Sequence, residues 1–282
     1  GLFSSEKFCA GARSAGKTVN TPRLITSRAN PVFKALSLLA SDLRTQRREG
    51  RALADGIHLV TSCFAHGMTV QQLLVSESGQ RHPEIAALMA HTTEIKETEC
   101  LLLSDALFRE LSGVATPTGI AAVIDIPQVG QRETLTSDVV MLDAIQDAGN
   151  VGTILRTTAA AGVRDVVLGP GCAGAWTPRV LRAGQGAHFV LRIHEQVDLL
   201  AMLTQCRGTS VATVACDGVS LYSMDLRPPM VWLLGNEGAG LSAPLIAAAQ
   251  QRVTIPLAAS TESLNVAAAA AICLFEAARQ RQ

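Results

Sequence analysis

Aromatic residues are scarce in this sequence: seven Phe, two Trp and one Tyr make up 4% of its 282 residues. A hydrophobic core must therefore consist mainly of Ala, Val, Leu and Ile, and a ring-rich platform for stacked bases is not expected. A net charge is also missing, because 24 basic residues balance 24 acidic ones. This balance argues against a generic polycation that coats nucleic acid, and the 48% hydrophobic content argues against a disordered chain.

Long apolar runs and paired cysteines are missing as well. The apolar stretch near 266–275 is shorter than a membrane span and is closed by Glu276 and Arg279. The seven cysteines form no CxxC pair and no zinc-like spacing, which predicts reduced thiols in a cytosol-like compartment. Residues 1–20 are small, polar and weakly basic, without the features of a signal peptide. We therefore predict a flexible leader and a cytoplasmic protein with no membrane span and no metal.

The neutral total is the sum of unequal parts. Residues 1–51 carry ten Lys or Arg against three acidic residues, and residues 52–130 carry nine acidic residues against three basic ones. Only four of the 24 basic residues are lysine. The planar arginine fork suits phosphate and carboxylate ligands, although the composition of a GC-rich genome would produce the same bias.

Alternating strand and helix patterns divide the chain into two α/β domains. We predict a first domain over 21–125, a linker over 126–137 and a second domain over 138–282. The linker contains Pro127 and Gly130, and its length would allow some independent motion of the two halves. Strands of the second domain are near-continuous apolar runs, the pattern of a parallel sheet covered on both faces. The predicted strands are 139–145, 165–169, 188–194, 210–216, 231–235 and 252–256, and the predicted helices are 150–161, 177–184, 196–206, 242–250 and 264–280.

Three segments of the second domain place polar residues and glycine where a strand ends. In the first, residues 146–152 lead into a helix that is small or apolar nearly all round, so we predict that it is buried. Arg156 lies within this helix, and a buried arginine needs a partner. A structural salt bridge is the alternative explanation for this arginine.

The other two segments follow later strands. Residues 235–240 contain three glycines around Glu237, which is a plausible partner for Arg156, although an ordinary strand-to-helix turn would look the same. Farther on, a polar loop precedes an alanine-rich helix that we predict Ser263 or Ser260 to cap. A nicotinamide-dependent enzyme is an alternative at this stage, but the G-x-G-x-x-G spacing and the Walker A sequence are both missing.

Taken together, the three segments resemble the motifs of the SpoU/TrmH family of RNA ribose 2′-O-methyltransferases, within the SPOUT superfamily. The matching stretches, in order, are Asp147-x-x-Asn150-x-Gly152-x-x-x-Arg156, Leu234-Gly235-Asn236-Glu237-Gly238-x-Gly240-Leu241, and Ile255-Pro256 followed by Ser263-Leu264-Asn265-Val266. The first domain is similar, more loosely, to the ribosomal-protein-like substrate-binding domain of many members. That likeness rests on Ile25-x-Ser27-x-x-Asn30-Pro31 and on Asp55-Gly56.

The resemblance implies an α/β fold in which the C-terminal parallel-sheet domain contains a deep trefoil knot. It also implies a homodimer, S-adenosylmethionine as the cofactor, and an RNA substrate, with rRNA favoured over tRNA. A tRNA 2′-O-methyltransferase and a catalytically silent RNA-binding protein of the same fold are the alternatives. By position, the cofactor-binding residues would be Thr213, Leu234, Gly235, Asn236, Gly238, Ile255 and Leu264.

The same resemblance assigns the remaining roles. The catalytic residues would be Asn150, Arg156, Glu237, Ser263 and Asn265. Arg156 is the family's candidate for activating the ribose hydroxyl, but a guanidinium stays protonated up to a pH above about 12, so we interpret it as an orienting cation or phosphate clamp. The basic surplus of the first domain would contact RNA phosphates through Arg23, Arg28, Lys34, Arg44, Arg47, Arg48 and Arg51.

Overall fold

The computed structural model describes residues 22–94, 98–130, 134–258, 261 and 263–282. The leader predicted over 1–20 and the candidate cap Ser260 lie outside these residues. In the described residues, no helix is both long enough and apolar enough to cross a membrane.

The first half is a small α/β domain around a five-stranded mixed sheet. Strand β5 runs antiparallel to β2 and β3, whereas the β1–β4 and β3–β4 pairs are parallel, in the order β1-β4-β3-β5-β2. The elements are β1 (Arg23–Ile25), α1 (Pro31–Ser41), α2 (Leu43–Glu49), β2 (Arg51–Asp55), α3 (Ile57–Ala65), β3 (Val70–Ser76), α4 (Pro83–Glu94), β4 (Glu99–Leu103), α5 (Asp105–Ser112) and β5 (Ile120–Asp125).

Local chemistry explains where the helices of this half begin and end. Asn30 caps α1, because its side chain accepts the N–H of Val32, and Pro31 occupies the first helical turn as predicted. Asp42 ends α1 and caps α2, and Gly50 closes α2 in the left-handed conformation. Strand β4 was not expected from the sequence, since its short run of leucines carries no alternation, yet it pairs with β1 and β3.

The second half is built on a seven-stranded sheet in which every pair of neighbouring strands is parallel, in the order β10-β12-β9-β11-β6-β7-β8. This confirms the predicted parallel sheet. Its elements are β6 (Val139–Leu142), α6 (Ala148–Ala160), β7 (Asp165–Leu168), α7 (Pro178–Gly184), β8 (Arg192–Glu195), α8 (Leu199–Leu203), β9 (Thr209–Thr213), β10 (Val219–Ser220), β11 (Met230–Leu234), α9 (Ala243–Ala248), β12 (Gln251–Thr254) and α10 (Val266–Gln280).

Several predicted boundaries are wrong. Strand β8 begins at Arg192 instead of residue 188, because Ala187–Phe189 form a turn of 3-10 helix. Strand β6 ends at Leu142, since Ala144 has a positive φ of 54° that no strand residue adopts. The two-residue strand β10 was not predicted, because so short a run has no readable period.

One hydrophobic cluster extends across both halves. Leu59 and Cys63 of α3 belong to the same buried cluster as Trp176 and Leu181 in the second half. A buried ion pair reinforces the contact. Arg182 of α7 lies 3.0 Å from the carboxylate of Asp55, which is only 4% exposed. This packing contradicts the independent motion that the linker's length suggested, because separating the halves would expose both the core and the carboxylate.

Candidate active site at the carboxyl edge of the parallel sheet

The three motif segments lie at one edge of the seven-stranded sheet. Strands β6, β11 and β12 run parallel, so the loops that follow their carboxyl ends open on the same side of the molecule. The described residues of these loops are 143–147, 235–242, 255–258, 261 and 263–265. In open parallel sheets, ligands bind at the carboxyl ends of the strands.

Asn150 joins all three segments through hydrogen bonds. Its backbone N–H donates to the carboxylate of Asp147, the N-cap of α6, over 2.8 Å. Its side-chain Nδ2 donates to Glu237 Oε1 over 2.9 Å, and its Oδ1 accepts from Asn265 Nδ2 over 3.0 Å. The carboxylate can only accept, which fixes the orientation of both amides. Asn150 is 87 positions from Glu237 and 115 positions from Asn265 in the sequence. These three predicted catalytic residues therefore meet in one chain of hydrogen bonds.

Asn265 has a second role as the N-cap of α10. Its Oδ1 accepts the N–H groups of Ala267 and Ala268 over 2.9 and 3.2 Å. The prediction that Ser263 caps this helix is wrong, because the helix begins at Val266 and Asn265 directly precedes it. Ser263 is exposed in the preceding loop. The cap leaves the Nδ2 of Asn265 free to reach Asn150, so helix capping and site geometry are coupled.

The loop after β11 is held in a tight turn by Asn236. Its Oδ1 accepts the N–H groups of Gly238 and Ala239 over 2.9 and 3.0 Å, and its Nδ2 donates to the carbonyl of Ala144 over 2.7 Å. Gly235 has no room for a side chain, because a Cβ there would lie 2.6 Å from the carbonyl oxygen of Gly240. The motif glycine is therefore required by close backbone approach.

Asp143 also holds this loop, and sequence reasoning overlooked it. Its carboxylate accepts the N–H of Ser242 over 2.8 Å, while its own N–H donates to the carbonyl of Leu234. The available signal was its place directly after the buried strand β6, whereas Asp147 was found through the family motif. Both aspartates use backbone N–H groups to fix the loops around Glu237.

The carboxylate of Glu237 is ionised at neutral pH. Partial burial raises its pKa, but hydrogen bonds from Asn150 and from nearby backbone N–H groups outweigh burial, and the net pKa lies below its usual range. A carboxylate of this kind is a weak proton acceptor and a good anchor for an amide. This electrostatic setting favours a role in holding Asn150.

Arg156 does not lie where the sequence predicted. It is exposed, together with Thr153 and Ala160, on a stripe along α6, while the opposite face of that helix is buried. It forms no ion pair with Glu237, whose carboxylate binds Asn150 instead. Arg156 lies six residues after Asn150, about 9 Å farther along the helix axis. The prediction of a fully buried helix is wrong, because alanine and threonine are compatible with either environment.

The predicted cofactor-binding residues lie on the ends of β9, β11 and β12 and on the loops after them. Thr213 Oγ1 donates to the carbonyl of Leu233 over 2.8 Å and so ties β9 to β11. Leu234 and Gly235 are buried, and Ile255 is partly buried. Leu264 is 38% exposed although it is apolar. These positions therefore offer backbone groups, one hydroxyl and apolar side chains, and no charged side chain.

The basic residues of the first half are mostly exposed, but several already have acidic partners. Arg28 binds Glu110 over 2.6 Å, and Arg51 binds Glu49 over 2.7 Å. Arg48 also lies 3.5 Å from Glu49. For the described part of the chain, no ion pair is formed by the remaining four, Arg23, Lys34, Arg44 and Arg47.

Arg47 faces the second half of the molecule. Burial raises the pKa of Glu195, and the positive charge of Arg47 together with a hydrogen bond from the N–H of Ala175 opposes that rise. Arg47 of the first half therefore interacts electrostatically with Glu195 of the second half.

Comparisons with known proteins agree with this architecture. The SpoU rRNA Methylase family profile matches residues 137–275, and the MRM3-like substrate binding domain profile matches residues 30–122. The chain is 30% identical over 284 residues to the 23S rRNA (uridine(2479)-2'-O)-methyltransferase of Streptomyces viridochromogenes, covering 96% of each chain. It is 31% identical over 226 residues to the 23S rRNA (guanosine(2553)-2'-O)-methyltransferase RlmP of Bacillus subtilis, covering 79% of this chain and 86% of the relative.

A solved structure shows the same fold. The AdoMet-bound rRNA methyltransferase of Sinorhizobium meliloti superposes with a TM-score of 0.79 at 26% identity, covering 92% of this chain and 98% of that one. The match spans both α/β halves and their relative placement. Motif order, two domain profiles and full-length relatives all agree, and the chain belongs to the SpoU rRNA methylase family.

Proposed function

We propose that this protein transfers a methyl group from S-adenosylmethionine to a ribose 2′-hydroxyl of rRNA. The observation that carries the proposal is the hydrogen-bonded chain Glu237–Asn150–Asn265, which joins all three family motifs at the carboxyl edge of the sheet. Relatives that align over most of this chain carry names of 23S rRNA 2′-O-methyltransferases. A 2′-hydroxyl is present in RNA and not in DNA, so the reaction itself selects the nucleic acid.

The edge of the sheet suits the cofactor. Leu264 is exposed and Ile255, directly after β12, is partly buried, and both are apolar side chains of the kind that an adenine ring would cover. Backbone groups of 234–238, with Thr213 at the end of β9, would hold the polar parts of the molecule. The bound sulfonium supplies an already activated methyl group. We therefore expect the reaction to need no metal.

The chain's own residues then have distinct tasks. Asn150, fixed by Glu237 and Asn265, would orient the ribose, and exposed Ser263 would donate to or accept from it. Glu237 acts as the anchor of Asn150, because its low pKa makes it a weak base. Arg156, exposed and charged, would clamp a phosphate or orient the hydroxyl.

The remaining features of the proposal follow from family membership. Residues 21–125 would bind the RNA, residues 126–137 would link the halves, and residues 138–282 would carry catalysis in a domain with a deep trefoil knot. The protein would act as a cytoplasmic homodimer. The exposed stripe of α6 that carries Arg156 is compatible with a neighbouring protomer completing the site.

Transfer of a labelled methyl group from S-adenosylmethionine to purified rRNA and to bulk tRNA tests the proposal. We expect labelling of rRNA, with the label recovered on a ribose, and little labelling of tRNA. Arg156→Ala should lower the rate while calorimetry shows that cofactor binding is retained. If the wild-type protein binds the cofactor but labels neither RNA, the proposed activity is wrong.

A further inference from the structure

A cavity of about 570 Å³ lies between the two halves of the molecule. Ser37 and Ser41 of α1 line one side, and Thr177 and Arg179 at the start of α7 line the other. Ala148, the first residue of α6, also lines it and is only two positions before Asn150. The cavity therefore connects the N-terminal half with the helix that carries the candidate active site.

Most charges of this cavity are already balanced, and one is not. Arg182 binds Asp55 and the carbonyl of Ser112, and Glu110 is neutralised by Arg28. Arg179 is exposed, and within the described ranges its guanidinium forms neither an ion pair nor a hydrogen bond. A single free cation thus faces the cavity, which favours an anionic ligand.

Several of the residues that line the cavity carry hydroxyl groups. The hydroxyl of Ser37 is buried and has no partner among the described residues, although buried polar atoms are normally paired. Ser41 Oγ donates to the carbonyl of Ser37 over 2.7 Å, and Thr177 Oγ1 donates to the carbonyl of Gly174 over 2.9 Å and accepts the N–H of Val180. The hydroxyl oxygen of Ser41 therefore remains as an acceptor for a ligand. No aromatic side chain is found in the described lining, so a base would be recognised by hydroxyls and not by stacking.

We propose that this cleft holds a nucleotide of the substrate RNA that neighbours the methylated one, with Arg179 bound to its phosphate and the hydroxyl oxygen of Ser41 accepting a hydrogen bond from its sugar or base. The inference rests on the proposed function for the identity of the ligand. The volume suits a single splayed-out nucleotide and lies within the range of small-ligand pockets. Sequence-specific RNA recognition uses such unstacked nucleotides.

Binding of a labelled single-stranded oligoribonucleotide of about 12 nucleotides, followed by fluorescence anisotropy, tests the cleft directly. Arg179→Ala should weaken binding about fivefold to tenfold and reduce the slope of log K against log salt by about 0.7. Ser41→Trp, which fills the cleft from an exposed position, should weaken binding without removing a charge. Arg207→Ala removes an exposed arginine before β9, at the opposite edge of the sheet, and should leave binding unchanged.

Methyl transfer separates this inference from the proposed function. In the cleft variants we expect an increased KM for RNA with little change in kcat, and unchanged calorimetric binding of S-adenosylmethionine. If Arg179→Ala and Ser41→Trp bind and methylate RNA as the wild type does, the cleft inference is wrong and the proposed function stands. If the wild type labels no RNA, the proposed function is wrong, and the oligoribonucleotide comparison still decides the cleft.

Inorganic phosphate serves as a second probe. A calorimetric signal for phosphate that disappears in Arg179→Ala, while RNA binding is unaffected in both cleft variants, would identify a simple anion site. That outcome would overturn the inference. Competition between phosphate and the oligoribonucleotide, lost in Arg179→Ala, would support it.

Discussion

Asn150 links distant segments because its amide is both a donor and an acceptor. One end of the amide binds a carboxylate, and the other end accepts from Asn265, which is itself held by the start of α10. Neither an Asp nor a Leu at position 150 could make both bonds. A single side chain thereby sets the relative positions of three loops.

Removal of this amide should affect the reaction more than the fold. We expect Asn150→Ala to lower methyl transfer to rRNA about 10- to 100-fold, because small misplacements of reacting groups are costly. Stability should fall by less than about 1 kcal/mol, since the bonds lie near solvent. Steady-state kinetics and urea denaturation measure the two effects, with Arg207→Ala, at an exposed position before β9, as the control. Equal kinetics for both variants would contradict the assigned role.

His188 is a buried histidine that makes stability depend on pH. It is fully buried, its Nε2 bonds to the carbonyl of Ala175 over 2.7 Å, and its ring meets Trp176 edge-on. Burial lowers its pKa to about 4, and the bond to Ala175 only partly opposes this effect. The ring is therefore neutral in the folded protein at neutral pH.

The free energy of unfolding should fall as the pH falls from about 6.5 to about 4. In that range the unfolded chain, with a histidine pKa of about 6.5, gains a proton that the folded state does not. The full effect is about 3 kcal/mol, at about 1.4 kcal/mol per pH unit. Urea titrations at several pH values should show a shallower dependence for His188→Gln than for the wild type. His82→Gln, at an exposed histidine, should retain the wild-type slope.

At the scale of elements, α6 and α7 pack closely because Gly152 has no side chain. A Cβ at this position would lie 2.7 Å from the carbonyl oxygen of Val180 and would overlap the methyl group of Ala183. The close contact seats the helix that carries Asn150 against the helix that carries Arg179 and Arg182. The glycine of the first motif therefore has a packing function.

Gly152→Ala should destabilise the protein even though alanine favours helix. The helical preference contributes about 1 kcal/mol in favour of the variant, whereas overpacking typically costs about 1–3 kcal/mol. We expect a net loss of up to about 2 kcal/mol in urea denaturation followed by circular dichroism. Thr153→Ala is the control, because it adds an alanine to the exposed face of the same helix without a steric clash. A Gly152→Ala protein as stable as that control would show that the two helices separate easily.

At the scale of the whole molecule, the two halves behave as one packed body. Asp55 lies at the boundary, where burial raises its pKa, and where Ser112 and Arg182 oppose the rise. Both tryptophans lie in the second half, at positions 176 and 232, so fluorescence reports on that half alone. Circular dichroism reports on both halves.

We expect fluorescence and circular dichroism to detect the same single unfolding transition, because the core is continuous. Arg182→Ala leaves the Asp55 carboxylate without its cation and should lower stability by about 1–3 kcal/mol. Arg179→Ala, three residues earlier on α7 and exposed, should change stability little. Two separate transitions in the wild-type protein would contradict a shared core.

The basic surface of the first half allows a test of RNA binding at the same scale. Neutralising Arg23, Lys34 and Arg44 together should weaken binding of rRNA fragments and flatten its salt dependence, because these charges have no acidic partner in the described residues. Arg28→Ala should weaken binding less than neutralising Arg23, Lys34 or Arg44 alone, since Glu110 already balances the charge of Arg28. If the triple variant binds RNA with an unchanged salt dependence, these residues do not contact phosphates, and the excess of arginine over lysine reflects only genome composition.

Local sequence was sufficient for the fold class and for the identity of the motifs. Apolar runs of five to seven residues, each followed by polar or glycine-rich loops, predict parallel strands, and Asp, Asn and Gly at strand ends predict a site. These signals depend only on neighbours in the chain. The helix start was placed near 150 for the same reason, although Asp147 starts it at Ala148.

Tertiary structure alone decided which of the predicted residues meet. The strand order β10-β12-β9-β11-β6-β7-β8 brings Asn150, Glu237 and Asn265 together, and no local pattern encodes that order. The same packing leaves Arg156 exposed, makes Asn265 the cap of α10, and buries Asp55 against Arg182. Contacts between distant segments depend on how apolar faces cover one another, and the sequence by itself determines only that such faces exist.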